Sequence, residues 1–179
     1  MVKATPTASG IPVYCAYRKI VSIASLKPHP QNPNTHPQSQ IELLSHLLQT
    51  HGWRAPITVS QRSGLIVRGH GRRLAALHLG LKQAPVDVQE YASEAAELAD
   101  VIADNRASEL CEWDPALLQE AFTVLAAQGI DGWDAGFDEQ ALKSLQEEGI
   151  FSGDEQASQG RLDQQTSIIC PQCGHEFAR

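Results

Sequence analysis

The stretch from Val67 to Gly80 constrains the fold of this chain more than any other. It reads Val-Arg-Gly-His-Gly-Arg-Arg-Leu-Ala-Ala-Leu-His-Leu-Gly. The β-branched run at 65–67 predicts a strand, and the apolar residues after the two glycines recur at helical spacing up to a stop at Gly80. The glycines therefore occupy a turn that leads from a strand directly into a helix.

Such a turn is suited to holding an anion. Glycine lets the backbone approach a ligand closely, and the free N–H groups at a helix start attract negative charge. An arginine at this turn can form forked hydrogen bonds to phosphate oxygens. The candidate phosphate-binding residues here are Gly69, His70, Gly71, Arg72 and Arg73. The alternative is a glycine turn with solvated arginines.

Short strands and helices alternate along the chain. The segment 27–36 contains three prolines, which lack backbone donors, so it is a rigid loop rather than a helix. Strands are predicted at 19–26, 56–60, 65–67 and 84–88, where Pro85 indicates an edge strand or a strand start. This mixed order favours an α+β fold with a small mixed sheet and flanking helices.

Helices are predicted from their apolar stripes and caps. One ends at Gly52, and Ser93 caps another that carries Leu98, Val101, Ile102 and Asn105 on one face. A helix opening at Asp114-Pro115 and a shorter one opening at Asp138 form a helical extension over 110–149. The helix after Asp114 is expected to turn its apolar residues inward, namely Leu117, Leu118, Ala121, Phe122 and Leu125.

Charge divides the chain into two unlike halves. The net charge is −7, but residues 1–90 hold ten Lys/Arg against three Asp/Glu, whereas residues 91–179 hold four against eighteen. A basic first half suits contact with a nucleotide or a DNA backbone, and an acidic second half suits a metal or a basic partner. The alternative is a solvated surface with uneven charge. No apolar run is long enough for a membrane span, so we expect a cytoplasmic protein with no membrane partner.

The ends of the chain differ from its middle. Residues 1–18 lack apolar periodicity and are expected to form a flexible arm, and residues 150–167 are expected to form a linker. The tail at 168–179 contains Cys170, Cys173 and His175 in the pattern of a zinc knuckle. Zn²⁺ takes four ligands, so His175, Cys15 or Cys111, or the two tail cysteines of a second chain in a homodimer, would complete the site. An unoccupied knuckle is the alternative.

Residues 19–109 resemble the ParB N-terminal-like family, whose fold is also called the ParB/sulfiredoxin fold. The matching pieces cover about 90 residues: Leu26-Lys-Pro-His-Pro-Gln-Asn-Pro-Asn34, Pro56-Ile-Thr-Val59, Ile66-Val-Arg-Gly-His-Gly-Arg72, Leu79-Gly-Leu81 and Val101-Ile-Ala-Asp-Asn-Arg106. The resemblance is strongest to domains of phage and prophage proteins, which often accompany DNA methyltransferases. It implies a ParB/sulfiredoxin-like domain followed by the helical extension and the zinc-knuckle-like tail.

Departures from the family's better understood branches limit what the resemblance implies. Partition proteins that bind cytidine triphosphate carry a Gly-Glu-Arg-Arg box, of which Gly69, His70, Gly71 and Arg72 match two of four positions. Sulfiredoxins have their catalytic cysteine where His70 stands, so their reductase chemistry lacks a nucleophile here. The matched motifs also lack the acid cluster that paired nuclease metals require.

In nucleotide-binding relatives a Glu-Asn pair helps to hold Mg²⁺ beside the phosphates, and Asp104 and Asn105 align with it. An amide on the apolar face needs a partner, so Asn105 can equally serve to cap its helix or to bond a core backbone group. Asn32 and Asn34 are candidates for positioning a base or ribose, although asparagine beside proline is also common in turns.

The expected function is that of a nucleotide- or DNA-binding module acting in DNA modification, packaging or transcription control. One alternative is a nucleotide hydrolase or phosphotransferase, because the same fold hosts both binding and turnover. Another is a protein adaptor for a DNA methyltransferase. A non-catalytic role is favoured over an enzyme.

Overall fold

The computed structural model describes residues 5–147 and two short strands at 168–169 and 176–177. Its helices are α1 (Gln38–His51), α2 (His70–His78), α3 (Glu94–Glu109), α4 (Pro115–Ala127) and α5 (Glu139–Glu147). Its strands are β1 (Thr7–Ala8), β2 (Ile11–Pro12), β3 (Lys19–Ser22), β4 (Lys27–Pro28), β5 (Ile57–Ser60), β6 (Leu65–Arg68), β7 (Gln83–Gln89), β8 (Ile168–Ile169) and β9 (Glu176–Phe177). A 3₁₀ turn, Ile23–Ser25, ends the first predicted strand early.

A mixed five-stranded sheet forms the centre of the fold, in the order β3-β7-β5-β6-β4. The pairs β3/β7 and β5/β6 are antiparallel, and the pairs β5/β7 and β4/β6 are parallel. The expected α+β architecture with a small mixed sheet is therefore confirmed. The edge-strand interpretation of Pro85 is wrong, because β7 lies inside the sheet. Pairing with β5 begins only at Val86, so the missing N–H of Pro85 precedes that ladder.

Helices α1 and α2 pack against each other beside the sheet. The core between them and the strands contains the fully buried side chains of Trp53, Ile57 and Ile66. Such close-packed burial, at about 25 cal/mol per Å² of apolar surface, is the main term that stabilises a domain of this size. It holds β6 and the start of α2 in a fixed relation.

The first residues described form a hairpin that joins the core. Ala8 and Val13 are buried, and the N–H of Trp53 donates to the carbonyl oxygen of Pro12 over 2.8 Å. The Ser9 hydroxyl accepts the backbone N–H groups of Lys82 and Gln83. This differs from the flexible arm expected over 1–18, because two-residue strands are too short to show a period in the sequence.

The caps of α3 and α4 are confirmed, but their buried faces differ from the prediction. Ser93 accepts the N–H of Ala96, and Asp114 accepts the N–H of Leu117. Ile102 is 48% exposed, whereas the carboxylate residue Glu97 is buried beside Val101. The apolar-face prediction for α3 was wrong because it ignored acids that find polar partners inside the protein.

On α4 the inward face is narrower than expected. Leu118, Phe122 and Leu125 are half-buried, whereas Leu117 and Ala121 are exposed. Phe122 contacts the ring of Phe137, with ring centroids 5.2 Å apart. The helix thus packs one side only, because the extension after α3 has little surface to pack against. None of the helices in the described part of the chain is long and apolar enough to cross a membrane.

Candidate functional site

The turn between β6 and α2 requires both of its glycines, for different reasons. Gly69 has φ +90°, in the left-handed region that favours glycine. Gly71 lies inside α2, where a Cβ atom would stand 2.9 Å from Cδ1 of Leu44 and 3.3 Å from Cε1 of His36. The first glycine thus turns the chain into the helix, and the second lets α1 and the proline-rich loop approach the helix start.

A cavity of about 180 Å³ opens at this turn. It brings together the turn, the proline-rich loop and α3, which are far apart in sequence. Of the residues that the sequence singled out, those lining the cavity are Asn32, Gly69, His70, Gly71, Arg72, Asp104 and Asn105. Asn34 and Arg73 are not among the lining residues. His36, Leu44, Val67 and Arg68 also line it.

Arg72 is the most exceptional charge at this cavity. It is half-buried, its Nε atom lacks a hydrogen-bond partner, and it forms no ion pair within the described residues. Burial lowers its pKa, although the nearby Asp104 and Cys15 act in the opposite direction. A guanidinium with this little compensation is a ready site for an anion.

Arg68, by contrast, is neutralised by α3. Its guanidinium forms a forked contact with the carboxylate of Asp100, and Nη1 lies 3.6 Å from Oδ1 of Asp104. The hydroxyl of Tyr91 donates to the same Asp100 carboxylate over 2.7 Å. Arg68 holds the pKa of Asp100 below its usual value, so this pair stays charged at neutral pH and pins α3 to β6.

A chain of polar contacts joins the cavity to the buried end of α3. The backbone N–H of His29 donates to Nε2 of His70 over 3.1 Å. Nδ1 of His29 accepts the N–H of Gln31, and its Nε2 lies 3.6 Å from Oε1 of Glu97. Burial lowers the pKa of His70 to about 4, so the ring is neutral near pH 7.

Glu97 is 1% exposed, and its carboxylate accepts the hydroxyls of Ser60 (2.7 Å) and Ser63 (2.6 Å). Burial alone would raise its pKa, but the two hydroxyl donors, with nearby His29 and Arg62, outweigh burial and lower it. The sequence analysis took no account of Glu97, His29 or His36. The available signal was the spacing of acids at 97, 100 and 104, which lie on one helix face.

Asn105 faces the cavity and also bonds its own helix. Its Nδ2 donates to the carbonyl oxygen of Val101 over 2.8 Å, which leaves the amide oxygen as an acceptor. Together with the carboxylate of Asp104 it forms an acceptor side of the cavity, opposite the donor side at the start of α2. Carboxylate and amide oxygens are the ligands that Mg²⁺ takes in proteins, usually one or two of them beside phosphate and water.

The predicted zinc ligands Cys170, Cys173 and His175 lie outside the described residues. Within residues 5–147 and the two short strands, no group of three or more His, Cys, Asp or Glu side chains is placed to hold a metal ion. Cys15 and Cys111 are both free thiols.

Comparison with known proteins gives relatives in sequence and in fold. No family model matches the chain. The ParB-like nuclease domain-containing protein YnaK of Escherichia coli (strain K12) is 33% identical over 66 residues, which are 37% of this chain and 75% of that protein.

Two solved structures extend the comparison. The C-terminally truncated chromosome-partitioning protein ParB from Caulobacter crescentus, complexed with CTP-gamma-S, is 24% identical, with a TM-score of 0.57 over 69% of this chain and 73% of that chain. Sulfiredoxin from Arabidopsis thaliana is 19% identical, with a TM-score of 0.38 over 48% of this chain and 98% of that one. The fold is therefore that of ParB, and on the strength of its sequence relative the chain belongs to the family of ParB-like domain proteins.

Proposed function

We propose that the cavity at the start of α2 binds the phosphate groups of a nucleotide, and that the chain is a ParB-like nucleotide- or DNA-binding module. The observation that carries the proposal is Arg72, a half-buried guanidinium whose Nε lacks a partner and which lines the cavity. Backbone N–H groups at a helix start add to its attraction for an anion. A phosphate supplies both the charge and the acceptors that this donor side lacks.

The opposite side of the cavity supports a metal-bound form of the ligand. Asp104 and the amide oxygen of Asn105 are acceptors, which would repel a bare phosphate but suit a Mg²⁺ ion carried with it. The ParB protein from Caulobacter crescentus is complexed with CTP-gamma-S, and we extend a nucleoside triphosphate to this chain as part of the proposal.

A panel of the four ribonucleoside triphosphates, titrated calorimetrically with and without Mg²⁺, tests this proposal. We expect at least one to bind, and to bind more tightly with Mg²⁺. Repeating the titrations with duplex DNA present shows whether DNA shares or assists the site. Absence of binding by every triphosphate, in folded protein, would overturn the nucleotide proposal and favour the adaptor for a DNA methyltransferase, which needs no phosphate pocket.

We further propose binding rather than turnover. If Asp104 positioned Mg²⁺ for hydrolysis, the protein would release phosphate steadily from a triphosphate, and Asp104→Ala would abolish the release. We expect no sustained release from the parent protein. Mg²⁺-dependent turnover that is lost in folded Asp104→Ala would make the hydrolase alternative correct. The phage and methyltransferase setting stays a prediction from the sequence.

A further inference from the structure

The ring of His70 has a proton arrangement that its surroundings dictate. The backbone N–H of His29 donates to Nε2 of His70 over 3.1 Å. A backbone N–H can only donate, so Nε2 must hold a lone pair, and a neutral imidazole then carries its proton on Nδ1. While this bond exists, the ring cannot be an imidazolium.

The neighbours of His70 oppose a second proton. His36 and His29 from the proline-rich loop, and Arg73 from α2, all lower its pKa, in addition to burial. The ring of His29 has the opposite tautomer, because its Nδ1 accepts the N–H of Gln31 and its Nε2–H faces Glu97. Two backbone amides thus set two neighbouring histidines in different proton states.

We propose that His70 serves the cavity as a neutral hydrogen-bond donor, presenting Nδ1–H to a phosphate oxygen, and that His29 is the positioning residue that fixes this tautomer. The inference rests on the proposed function. His70 lines the cavity, and none of the described residues accepts a hydrogen bond from its Nδ1. A ligand oxygen completes that donor.

This role distinguishes His70 from a general base. A base must accept a proton from its substrate, but the lone pair on Nε2 is already engaged by His29. At the position where partition proteins carry a carboxylate, this chain therefore places a neutral donor. The cavity is accordingly suited to an anion with an exposed acceptor oxygen.

Two isosteric substitutions separate the ring nitrogens. In His70→Asn the amide nitrogen takes the place of Nδ1 and keeps the donor, whereas in His70→Gln the longer amide reaches the place of Nε2 and keeps only the acceptor for His29. With inorganic tripolyphosphate and Mg²⁺ as probe, we expect His70→Asn to bind about as tightly as the parent. His70→Gln should lose about tenfold, the usual loss for a donor to a charged group.

The same pair of changes at the exposed His78, on the far end of α2, is the matched control and should leave binding unchanged. Equal loss in both His70 variants, equal retention, or the reverse order would overturn the donor role. Because either variant can also change stability, thermal unfolding is measured beside each titration.

A readout without ligand keeps the inference separate from the proposed function. Long-range proton–nitrogen correlation spectra of the parent should show a protonated Nδ1 and an unprotonated Nε2 for His70 at pH 7. The opposite tautomer would overturn the inference even if nucleotides bind. If neither tripolyphosphate nor any nucleotide binds, the proposed function fails and donation to phosphate fails with it, whatever the tautomer.

Discussion

Oε2 of Glu97 accepts the hydroxyl proton of Ser60 over 2.7 Å, and neither residue is more than 1% exposed. The contact joins the first turn of α3 to the end of β5. Ser63 makes a second such bond, and His29 faces the same carboxylate. A helix that carries Asp104 and Asn105 to the cavity is therefore attached to the sheet largely through polar groups, with Val101 as its buried apolar residue.

Removal of this carboxylate should destabilise the fold. Glu97→Ala leaves two serine hydroxyls without their acceptor and forms a small cavity, so we expect the free energy of unfolding to fall by about 2 to 4 kcal/mol. Glu94→Ala, on the same turn but with a side chain 74% exposed, should change it by less than about 0.5 kcal/mol. Urea unfolding measures both. Equal stability of the two variants would mean that the buried carboxylate does not hold α3.

Acid should weaken the protein over a defined range. The pKa of His70 falls from 6.5 to about 4 on folding, so between these values the unfolded chain binds a proton that the folded protein refuses. Its contribution is complete above pH 6.5 and is lost as the pH falls toward 4. Glu97 and Asp100 have lowered pKa values, so their contributions decline further below the ordinary carboxyl range. His36, His29 and Arg73 face His70 and reinforce the effect.

We therefore expect the melting temperature to fall steadily from pH 7 to pH 4.5. In His70→Gln, which lacks the titrating ring, the fall between pH 6.5 and 4.5 should be smaller. Thermal scans of both proteins across this range test the assignment, and parallel curves for the two would contradict it.

The glycines of the turn allow backbone strain and steric crowding to be measured separately. Gly64→Ala introduces a Cβ at φ +73° with no atom within 4 Å, so only strain acts, at about 1 kcal/mol. Gly71→Ala meets Cδ1 of Leu44 at 2.9 Å and Cε1 of His36 at 3.3 Å. We expect Gly71→Ala to lower both stability, by about 1 to 3 kcal/mol, and ligand affinity. Gly64→Ala should lower stability alone. Loss of affinity in Gly64→Ala would count against a local site at α2.

The tail prediction concerns zinc. Purified under reducing conditions near neutral pH, the protein should contain Zn²⁺, and Cys173→Ser should lose it. Half an equivalent with a dimer in solution indicates a shared site of four tail cysteines. One equivalent with a monomer indicates completion by His175, Cys15 or Cys111, which Cys111→Ser then helps to distinguish. A metal-free monomer would contradict the prediction.

How much the sequence could predict depended on whether a feature was local. The turn at Gly69, the caps at Ser93 and Asp114, and the helix end at Gly52 follow from backbone geometry within a few residues, and all were confirmed. The cavity residues could be grouped only through a family resemblance, because loop, turn and helix converge from distant positions. Tertiary hydrogen bonds with serines and an arginine decide that acids rather than Ile102 face the sheet, and no helical period encodes them.

The most direct measurement compares Arg72→Ala with the parent in calorimetric titrations with Mg²⁺ and the triphosphate that the parent binds most tightly. Arg18→Ala is the matched control, because Arg18 is exposed beside β3, at the opposite edge of the sheet from β6. The account predicts that Arg72→Ala weakens binding about tenfold or more, since a charge-assisted bond to phosphate contributes about 1.5 to 3 kcal/mol, whereas Arg18→Ala leaves binding unchanged. Unchanged affinity in a folded Arg72→Ala protein would contradict the assignment of the site.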